Sequence, residues 1–387
     1  MATFSVQALS AGVLAAVVGF SSTFAVVIQG LTAVGASPAE AASGLMAVSI
    51  AMGVGAIVLS LRTRMPISVA WSTPGAAVLA ASAVPEGGFA AAIGAFIVTG
   101  VLIVAAGLWR PLGRSVSAIP ASLANAMLAG VLLSLCLAPV KAVAESPAIG
   151  LSLILVWAAV ARFKRLYAVP AVVVLALVIV AVMTPGSFST AAAVAPAPIA
   201  LMPVFTVPAI LGIALPLFLV TMASQNIPGV AVLRANGFKP APGPLFTTTG
   251  LVTVLAAPFG AHAVNLAAIT AALCAGPDAH PDPARRYWAA VVNGAAYVVV
   301  GLGAGAAAAF IGAAPPYLIE AVAGLALLGS FGGAIAGASA HADEREAAVV
   351  TFVVAASGVG FFGIGGAFWG LVAGGAVLAL ARWRRSA

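Results

Sequence analysis

Two short stretches interrupt the apolar pattern of this chain at positions where membrane spans are expected. They are residues 66–80 (PISVAWSTPGAAVLA) and residues 258–273 (PFGAHAVNLAAITAAL). Each begins with a few extended residues and continues as a short Ala-rich helix. The residues at the change of conformation, Ser72 and Asn265, lie half of the 387-residue chain apart. Paired interrupted spans at corresponding points of two halves indicate the binding site of a secondary transporter.

The composition assigns the chain to the polytopic membrane proteins. Hydrophobic residues make up 63% of it and charged residues 6%, with a mean hydropathy of +1.20. The net charge of +7 comes from basic residues in short loops without aromatic interleaving, so a nucleic-acid partner is not expected. Cys136 and Cys274 both fall within apolar spans, which predicts neither a disulfide framework nor a metal site. No cofactor is expected.

The apolar segments predict an all-α fold with fourteen membrane spans, of which the third and tenth are the interrupted ones. They cover residues 6–31, 38–60, 66–83, 88–109, 117–139, 147–163, 169–184, 207–232, 244–257, 259–275, 288–313, 316–338, 346–360 and 363–381. With both termini in the cytoplasm, only Lys141 of the sixteen basic residues lies outside. The positive-inside rule therefore supports both the count and the orientation.

Fourteen spans divide into two halves of seven. Because seven is odd, the second half must enter the membrane in the opposite orientation, and the sequence predicts an inverted repeat. The first repeat covers residues 1–187, a Pro/Ala-rich linker covers 188–206, and the second repeat covers 207–387.

The two interrupted spans provide the first candidate site residues. Ser72 or Thr73 suits the N-cap of the first half-helix, Pro74 suits its first turn, and Gly75 allows a ligand to approach the backbone. In the second span, residues 260–264 are expected to be extended, with Asn265 capping a helix that runs to Ala272. Two helix starts meeting in mid-membrane favour an anion such as a carboxylate. The alternative is that the first segment is an ordinary helix kink and the second an ordinary loop, with no binding site.

A third candidate element is the eighth span, which contains LPLFLVTMASQNIPG at residues 215–229. Thr221, Ser224 and Gln225 lie on one helix face, and Asn226 borders it. Polar side chains at this depth are costly in lipid, so they are expected to face the protein interior. Hydrogen bonding between helices is the alternative role. In the first span, Ser22 is expected only as a secondary lining residue, together with its neighbours Ser21 and Thr23.

Ionisable residues within the predicted spans are few. His262 lies on the extended arm of the tenth span and is a candidate for proton coupling, because histidine titrates near physiological pH. A neutral histidine that donates to a backbone carbonyl is the alternative. Glu320, near the outer end of the twelfth span, is a weaker candidate because it is expected at the water interface.

At these residues the chain resembles the benzoate:proton symporter family of bacterial inner-membrane transporters. The resemblance rests on residues 66–75, 222–229, 260–270 and the loop 275–287, and it extends over essentially the whole chain. It implies the fold shared with uracil transporters and sulfate-permease-type anion transporters. That fold has a core domain, here spans 1–4 and 8–11, and a gate domain, here spans 5–7 and 12–14.

The resemblance also implies a function. In the uracil and xanthine relatives, acidic residues of the eighth and tenth segments hold a nucleobase, whereas this chain has Gln225, Asn226, His262 and Asn265 there. Neutral side chains do not repel an anion, so we expect proton-coupled import of benzoate or a similar aromatic carboxylate by alternating access. A nucleobase or inorganic-anion transporter is the alternative. No G-x-S-x-G motif or ring-forming charged filter is present, so neither an enzyme nor a channel is expected. A homodimer is left open.

Overall fold

The computed structural model describes residues 5–109, 120–184, 196–267, 269–362 and 364–386. Helices make up most of these residues. The first half contains α1 (Val6–Ala33), α2 (Pro38–Thr63), strand β1 (Val69–Trp71), α3 (Thr73–Ala80), α4 (Gly88–Leu108), α5 (Ala121–Cys136), α6 (Ala138–Glu145), α7 (Pro147–Lys164) and α8 (Ala168–Met183).

The second half follows after the linker, of which residues 188–195 lie outside the described part. It contains α9 (Val207–Ala235), α10 (Pro242–Ala256), strand β2 (Val264–Leu266), α11 (Ile269–Ala275), α12 (Tyr287–Leu302), α13 (Ala304–Ala313), α14 (Pro316–Ala338), α15 (Arg345–Ala356) and α16 (Gly366–Ser386).

Several of these helices are long and apolar enough to cross a membrane, as a polytopic membrane protein requires. Among the described residues there are eight such helical stretches, or nine when Pro283–Leu302 and Ala304–Ala313, bent by 53°, count as one span. This count treats α5 and α6 as one stretch, Ala121–Glu145, and α7 and α8 as another, Pro147–Met183. Helices α10 and α15 have 15 and 12 residues, and the helices of the two interrupted spans, α3 and α11, have 8 and 7. Length alone therefore does not establish fourteen crossings, and that count stays a prediction.

Small residues allow the helices next to the interrupted spans to pack closely. A Cβ atom added to Gly53 of α2 would lie 2.5 Å from the carbonyl oxygen of Gly294 on α12. Gly100 of α4 and Gly250 of α10 meet in the same way, with a Cβ on Gly250 lying 2.7 Å from the Gly100 carbonyl oxygen. Lipid provides no hydrophobic drive for helix association, so close packing of this kind holds membrane helices together.

The helices form two packing groups. Helices α1, α2, α4, α10, α12 and the interrupted spans contact one another, and α9 packs against α3. In the other group, α5 packs against α14, α15 and α16, while α14 also contacts α6, α7 and α8. Contacts of α1 with α14 and α8, and of α3 with α5, join the two groups.

Helix α9 departs from regular α-helix twice. Ile210–Ala214 and Met222–Asn226 form π-helical turns, and each ends two residues before a proline, Pro216 and Pro228. A proline ring clashes with the carbonyl four residues earlier, and the widened turn relieves that clash. Such π-turns often occur at functional sites. The second one contains the polar residues predicted from the sequence.

Candidate functional site

The two interrupted spans meet through a short antiparallel ladder. Val69, Ala70 and Trp71 of β1 pair with Leu266, Asn265 and Val264 of β2. The ladder continues by one bond at each end, from Ser72 N to the Ala263 oxygen (3.0 Å) and from Ala267 N to the Ser68 oxygen (2.9 Å). Non-helical backbone at membrane depth is tolerated only where it is buried in protein or lines a cavity. The ladder satisfies the backbone hydrogen-bonding groups along one edge of each strand.

Side chains from two helices satisfy the other edge of β2. The Asn226 Oδ1 atom on α9 accepts a hydrogen bond from Leu266 N at 2.9 Å. The Thr253 hydroxyl on α10 accepts one from Val264 N at 3.0 Å. Asn226 was expected among the substrate-binding residues, at the border of the polar face of the eighth span. Sequence reasoning missed Thr253, which lies in an otherwise apolar span. Both side chains are fully buried, so this edge of the strand lies away from solvent and lipid.

Ser72 joins three elements at the start of α3. Its side chain is the predicted N-cap and accepts a hydrogen bond from Gly75 N at 3.1 Å. The Thr221 hydroxyl of α9 donates to the same oxygen at 2.8 Å. Leu217 of α9 approaches Gly75 so closely that a side chain at Gly75 would collide with it. The first half-helix is therefore fixed against α9 as well as against the ladder.

The predicted start of the second half-helix is wrong. Asn265 does not cap a helix: it lies in the middle of β2, opposite Ala70, and α11 begins at Ile269. Pairing with β1 keeps the backbone extended to Leu266, two residues beyond the predicted end of the extended part. The Asn265 amide donates to the Leu266 oxygen at 2.8 Å. Its Oδ1 atom is buried and has no hydrogen-bond partner among the described residues.

His262 lies behind the start of α3. Its Nε2 atom is 3.1 Å from the Ser72 carbonyl oxygen, and since that oxygen can only accept, Nε2 carries a hydrogen. The ring also stands edge-on to Phe96 of α4, with centroids 6.5 Å apart. Its Nδ1 atom is buried without a partner among the described residues. This is the arrangement of a neutral histidine that donates to a backbone carbonyl, with a second, acceptor nitrogen that has no partner among the described residues.

A central cavity of about 100 Å³ lies at the start of α3. Of the predicted residues, Ser22, Thr23, Thr73 and Gln225 line it, and Ser21 does not. Its other lining residues include Gly19, Trp71, Ala267, Thr270 and Tyr297. None of its lining residues is charged. Ser72, Gly75, Thr221, Asn226, His262 and Asn265 are outside the lining and form the hydrogen-bonded layer around the ladder.

Aromatic side chains form one side of this central cavity. Trp71 and Tyr297 have ring centroids 6.4 Å apart, and Phe20 packs edge-on against Trp71 at 5.5 Å. The Trp71 indole N–H donates to the Thr23 hydroxyl at 2.9 Å, which fixes the ring. Trp71 lies within the first interrupted motif, but nothing local distinguishes Tyr297 of α12 as a site residue. Tyr297 reaches the cavity because its hydroxyl packs against Gly19 of α1.

Glu320 lies elsewhere. It is exposed in the first turns of α14 and lines a different, larger cavity, together with Lys141. Glu320 is therefore not part of the central site, which His262 adjoins.

Comparison with known proteins places this architecture in a family. The family model described as "BenE: Benzoate membrane transport protein" matches residues 2–380. The chain belongs to this family. The BenE-family protein is 42% identical over 369 residues to "Inner membrane protein YdcO" of Escherichia coli, covering 95% of this chain and 94% of that one. It is 32% identical over 376 residues to "Benzoate membrane transport protein" of Acinetobacter baylyi, covering 96% and 94%.

Solved structures support the fold of this BenE-family protein. The transmembrane domain of the cyanobacterial bicarbonate transporter BicA matches with a TM-score of 0.64 at 17% identity, covering 95% of this chain and 96% of that chain. SLC26A9 matches with a TM-score of 0.62 at 11% identity, covering 96% and 65%. The fold expected from the resemblance to anion transporters is thus confirmed at the level of overall architecture. The family is one of membrane transporters and not of enzymes.

Proposed function

We propose that this BenE-family protein imports benzoate or a similar aromatic carboxylate together with protons, by alternating access. The central cavity is the observation that carries this proposal. Its volume of about 100 Å³ is well below the roughly 300–1,000 Å³ of pockets for drug-sized ligands, which favours a single small ring. Its wall combines an aromatic side with neutral hydrogen-bonding groups, as a carboxylate on a benzene ring requires.

The lining residues suggest how such a substrate binds. The ring would pack against Trp71 and Tyr297, since aromatic pairs favour edge-on and offset contacts. The carboxylate would accept hydrogen bonds from the Ser22 and Thr73 hydroxyls and the Gln225 amide. Thr73 is the first residue of α3, where the positive end of the helix dipole also favours an anion. The surrounding layer, from Ser72 to Asn265, would hold these groups in place.

Proton coupling is assigned to His262. It is buried, it has an unpartnered acceptor nitrogen, and its other nitrogen binds the residue that caps α3. A charge on His262 would attract an anion at the start of that helix. Glu320 is the weaker candidate, and a substrate that carries its own proton is the alternative without any titrating protein group. Alternating access would arise from movement of the core, spans 1–4 and 8–11, against the gate, spans 5–7 and 12–14.

Uptake into proteoliposomes tests this function. Labelled benzoate should accumulate when the lumen is more alkaline than the outside and should only equilibrate without a proton gradient. The nucleobase and inorganic-anion alternatives are tested by competition with uracil and with bicarbonate, the second because the fold resembles a bicarbonate transporter. Benzoate uptake that is absent, or that uracil or bicarbonate suppresses more strongly than unlabelled benzoate does, would contradict the proposal.

The proposed orientation in the bacterial inner membrane predicts a labelling pattern. Single cysteines at positions 64, 165 and 239, which replace Arg64, Arg165 and Lys239, should be protected from an impermeant maleimide added outside intact cells. Cysteines that replace Glu86 and Lys141 should be labelled. The native Cys136 and Cys274 are buried and are replaced by alanine in the background protein. Strong external labelling at position 165 would overturn the fourteen-span arrangement.

A further inference from the structure

A second cavity, here called the vestibule, lies between the two packing groups of helices. Its volume is about 520 Å³, several times that of the central cavity. The last turns of α1, α3 and α13 line it on one side, and α5, α6 and the first turns of α14 line it on the other. All of these helix ends belong to the membrane face on which Lys141 lies.

The charges of this face make Lys141 unusual. In the proposed topology Lys141 is its only basic residue, whereas Glu40, Glu86, Glu145 and Glu320 are acidic. A carboxylate that approaches from this side therefore meets a predominantly negative surface. Lys141 lines the vestibule together with Glu320, and no salt bridge joins the two side chains among the described residues. The single attractive charge of this face is thus located in the vestibule.

A polar side chain without a partner adds a second observation. Gln29 of α1 lines the vestibule, and its Oε1 atom is buried with no hydrogen-bond partner among the described residues. A buried amide without a partner is costly at membrane depth, so its retention suggests a ligand. A 180° turn of the amide would present its NH2 group, which is the donor that a carboxylate requires. The vestibule wall near it is largely apolar and includes Ile28 and Ile319.

Helix α1 connects the vestibule with the central cavity. Ser22 lines the central cavity and Gln29 lines the vestibule, and these residues lie on one face of the helix, about 10 Å apart along its axis. Val26 lies between them on that face and is fully buried. Phe24 and Phe310, with ring centroids 6.3 Å apart, pack at the same level. The two cavities are therefore successive sites along α1 with a closed barrier between them.

We propose that the vestibule is a second carboxylate site, which captures the aromatic acid before it reaches the central cavity. The Lys141 ammonium binds the carboxylate, the Gln29 NH2 group donates a hydrogen bond to it, and Ile28 and Ile319 contact the ring. The inference rests on the proposed function because it takes the same substrate class.

Transport kinetics test this proposal in cells that expose the Lys141 face. Lys141→Gln should raise the KM for benzoate about three- to fivefold, the size expected of a partly exposed ion pair, and leave kcat unchanged because binding alone is weakened. Lys141→Arg should keep the wild-type KM. Lys239→Gln, a lysine on the opposite face, is the matched control. An unchanged KM in Lys141→Gln would overturn the inference and leave the proposed function intact.

Direct binding separates this result from a failure of the proposed function. Equilibrium dialysis of labelled benzoate against the purified protein should give two sites per chain in the wild type, and in Lys141→Gln one of the two should bind about three- to fivefold more weakly. A single wild-type site, or no binding, contradicts the vestibule site whatever the transport assay shows. Absent uptake by wild-type protein that still binds benzoate at two sites would instead contradict the proposed import.

The effect of Lys141 could also arise if it only offsets the charge of Glu320. The double variant Lys141→Gln/Glu320→Gln distinguishes the two roles. If Lys141 only neutralises Glu320, the double variant should recover the wild-type KM. If Lys141 binds the substrate, the KM of the double variant should stay above that of Glu320→Gln alone.

Discussion

His262→Gln is expected to retain exchange of bound substrate and to lose accumulation driven by a pH gradient. The glutamine amide can still donate a hydrogen bond to the Ser72 carbonyl oxygen, as His262 Nε2 does at 3.1 Å, so the cap of α3 should survive. It cannot take up a proton. The buried Nδ1 atom, which has no partner among the described residues, is lost together with the charge it would carry.

The measurement compares two assays in the same proteoliposomes. Counterflow of labelled against unlabelled benzoate reports exchange, and uptake under an imposed pH gradient reports coupling. In His262→Gln the gradient-driven accumulation ratio should fall to about one, while counterflow stays within a few-fold of the wild type. His341→Gln, which changes an exposed loop histidine, is the matched control. Full accumulation in His262→Gln would show that the substrate's own carboxylate, or Glu320, carries the proton.

Asn226→Ala should weaken substrate binding by about 1–3 kcal/mol, the cost of a buried polar group left without its partner. The group in question is Leu266 N, whose hydrogen bond Asn226 Oδ1 accepts at 2.9 Å. Strand β2 leads through Ala267 directly to the lining of the central cavity. Loss of this hydrogen bond leaves that edge of β2 unpaired, and it should therefore displace residues that line the central cavity. At 25 °C the loss corresponds to a rise in Kd of about 5- to 150-fold.

Equilibrium dialysis with labelled benzoate measures this change, and the thermal stability of the detergent-solubilised protein shows whether the variant is folded. Asn236→Ala is the matched control, because Asn236 lies at the end of the same helix and its side-chain amide donates to the Val232 carbonyl oxygen of that helix. Wild-type affinity in a folded Asn226→Ala protein would remove Asn226 from the site. An equal loss in Asn236→Ala would show a general effect on α9.

The sequence predicted those parts of the site that local chemistry determines. Ser-Thr-Pro-Gly is a helix-start signal, and Ser72 does cap α3. Asn265 gave a similar local signal and was placed wrongly, because its conformation depends on pairing with Ala70 in the other half of the chain. The prolines at 216 and 228 were visible, but the π-turns before them were not predicted. The π-turns depend on how α9 relieves the clash between each proline ring and the carbonyl group four residues earlier.

Non-local packing explains what the sequence did not reveal. Thr253 and Tyr297 lie on helices whose own patterns show no sign of a site, and only the folded structure brings them to β2 and the central cavity. The predicted residues also divide into two groups that spacing cannot separate. Ser22, Thr73 and Gln225 line the cavity, whereas His262 and Asn226 lie behind it. Roles assigned from the sequence as direct contacts therefore become, for the second group, roles in positioning.

The pairing of β1 with β2 has a consequence for how the protein is made. Strand β1 leaves the ribosome about 195 residues before its partner, which at roughly 5–20 residues per second is a delay of about 10–40 s. Until β2 arrives, the Val69–Trp71 backbone lacks the hydrogen bonds that the hydrocarbon interior cannot supply. The first half of the chain thus enters the bilayer with one segment unfinished. That segment stays unpaired beside α1 and α2, or within the insertion machinery, until about the first third of the second half has been synthesised.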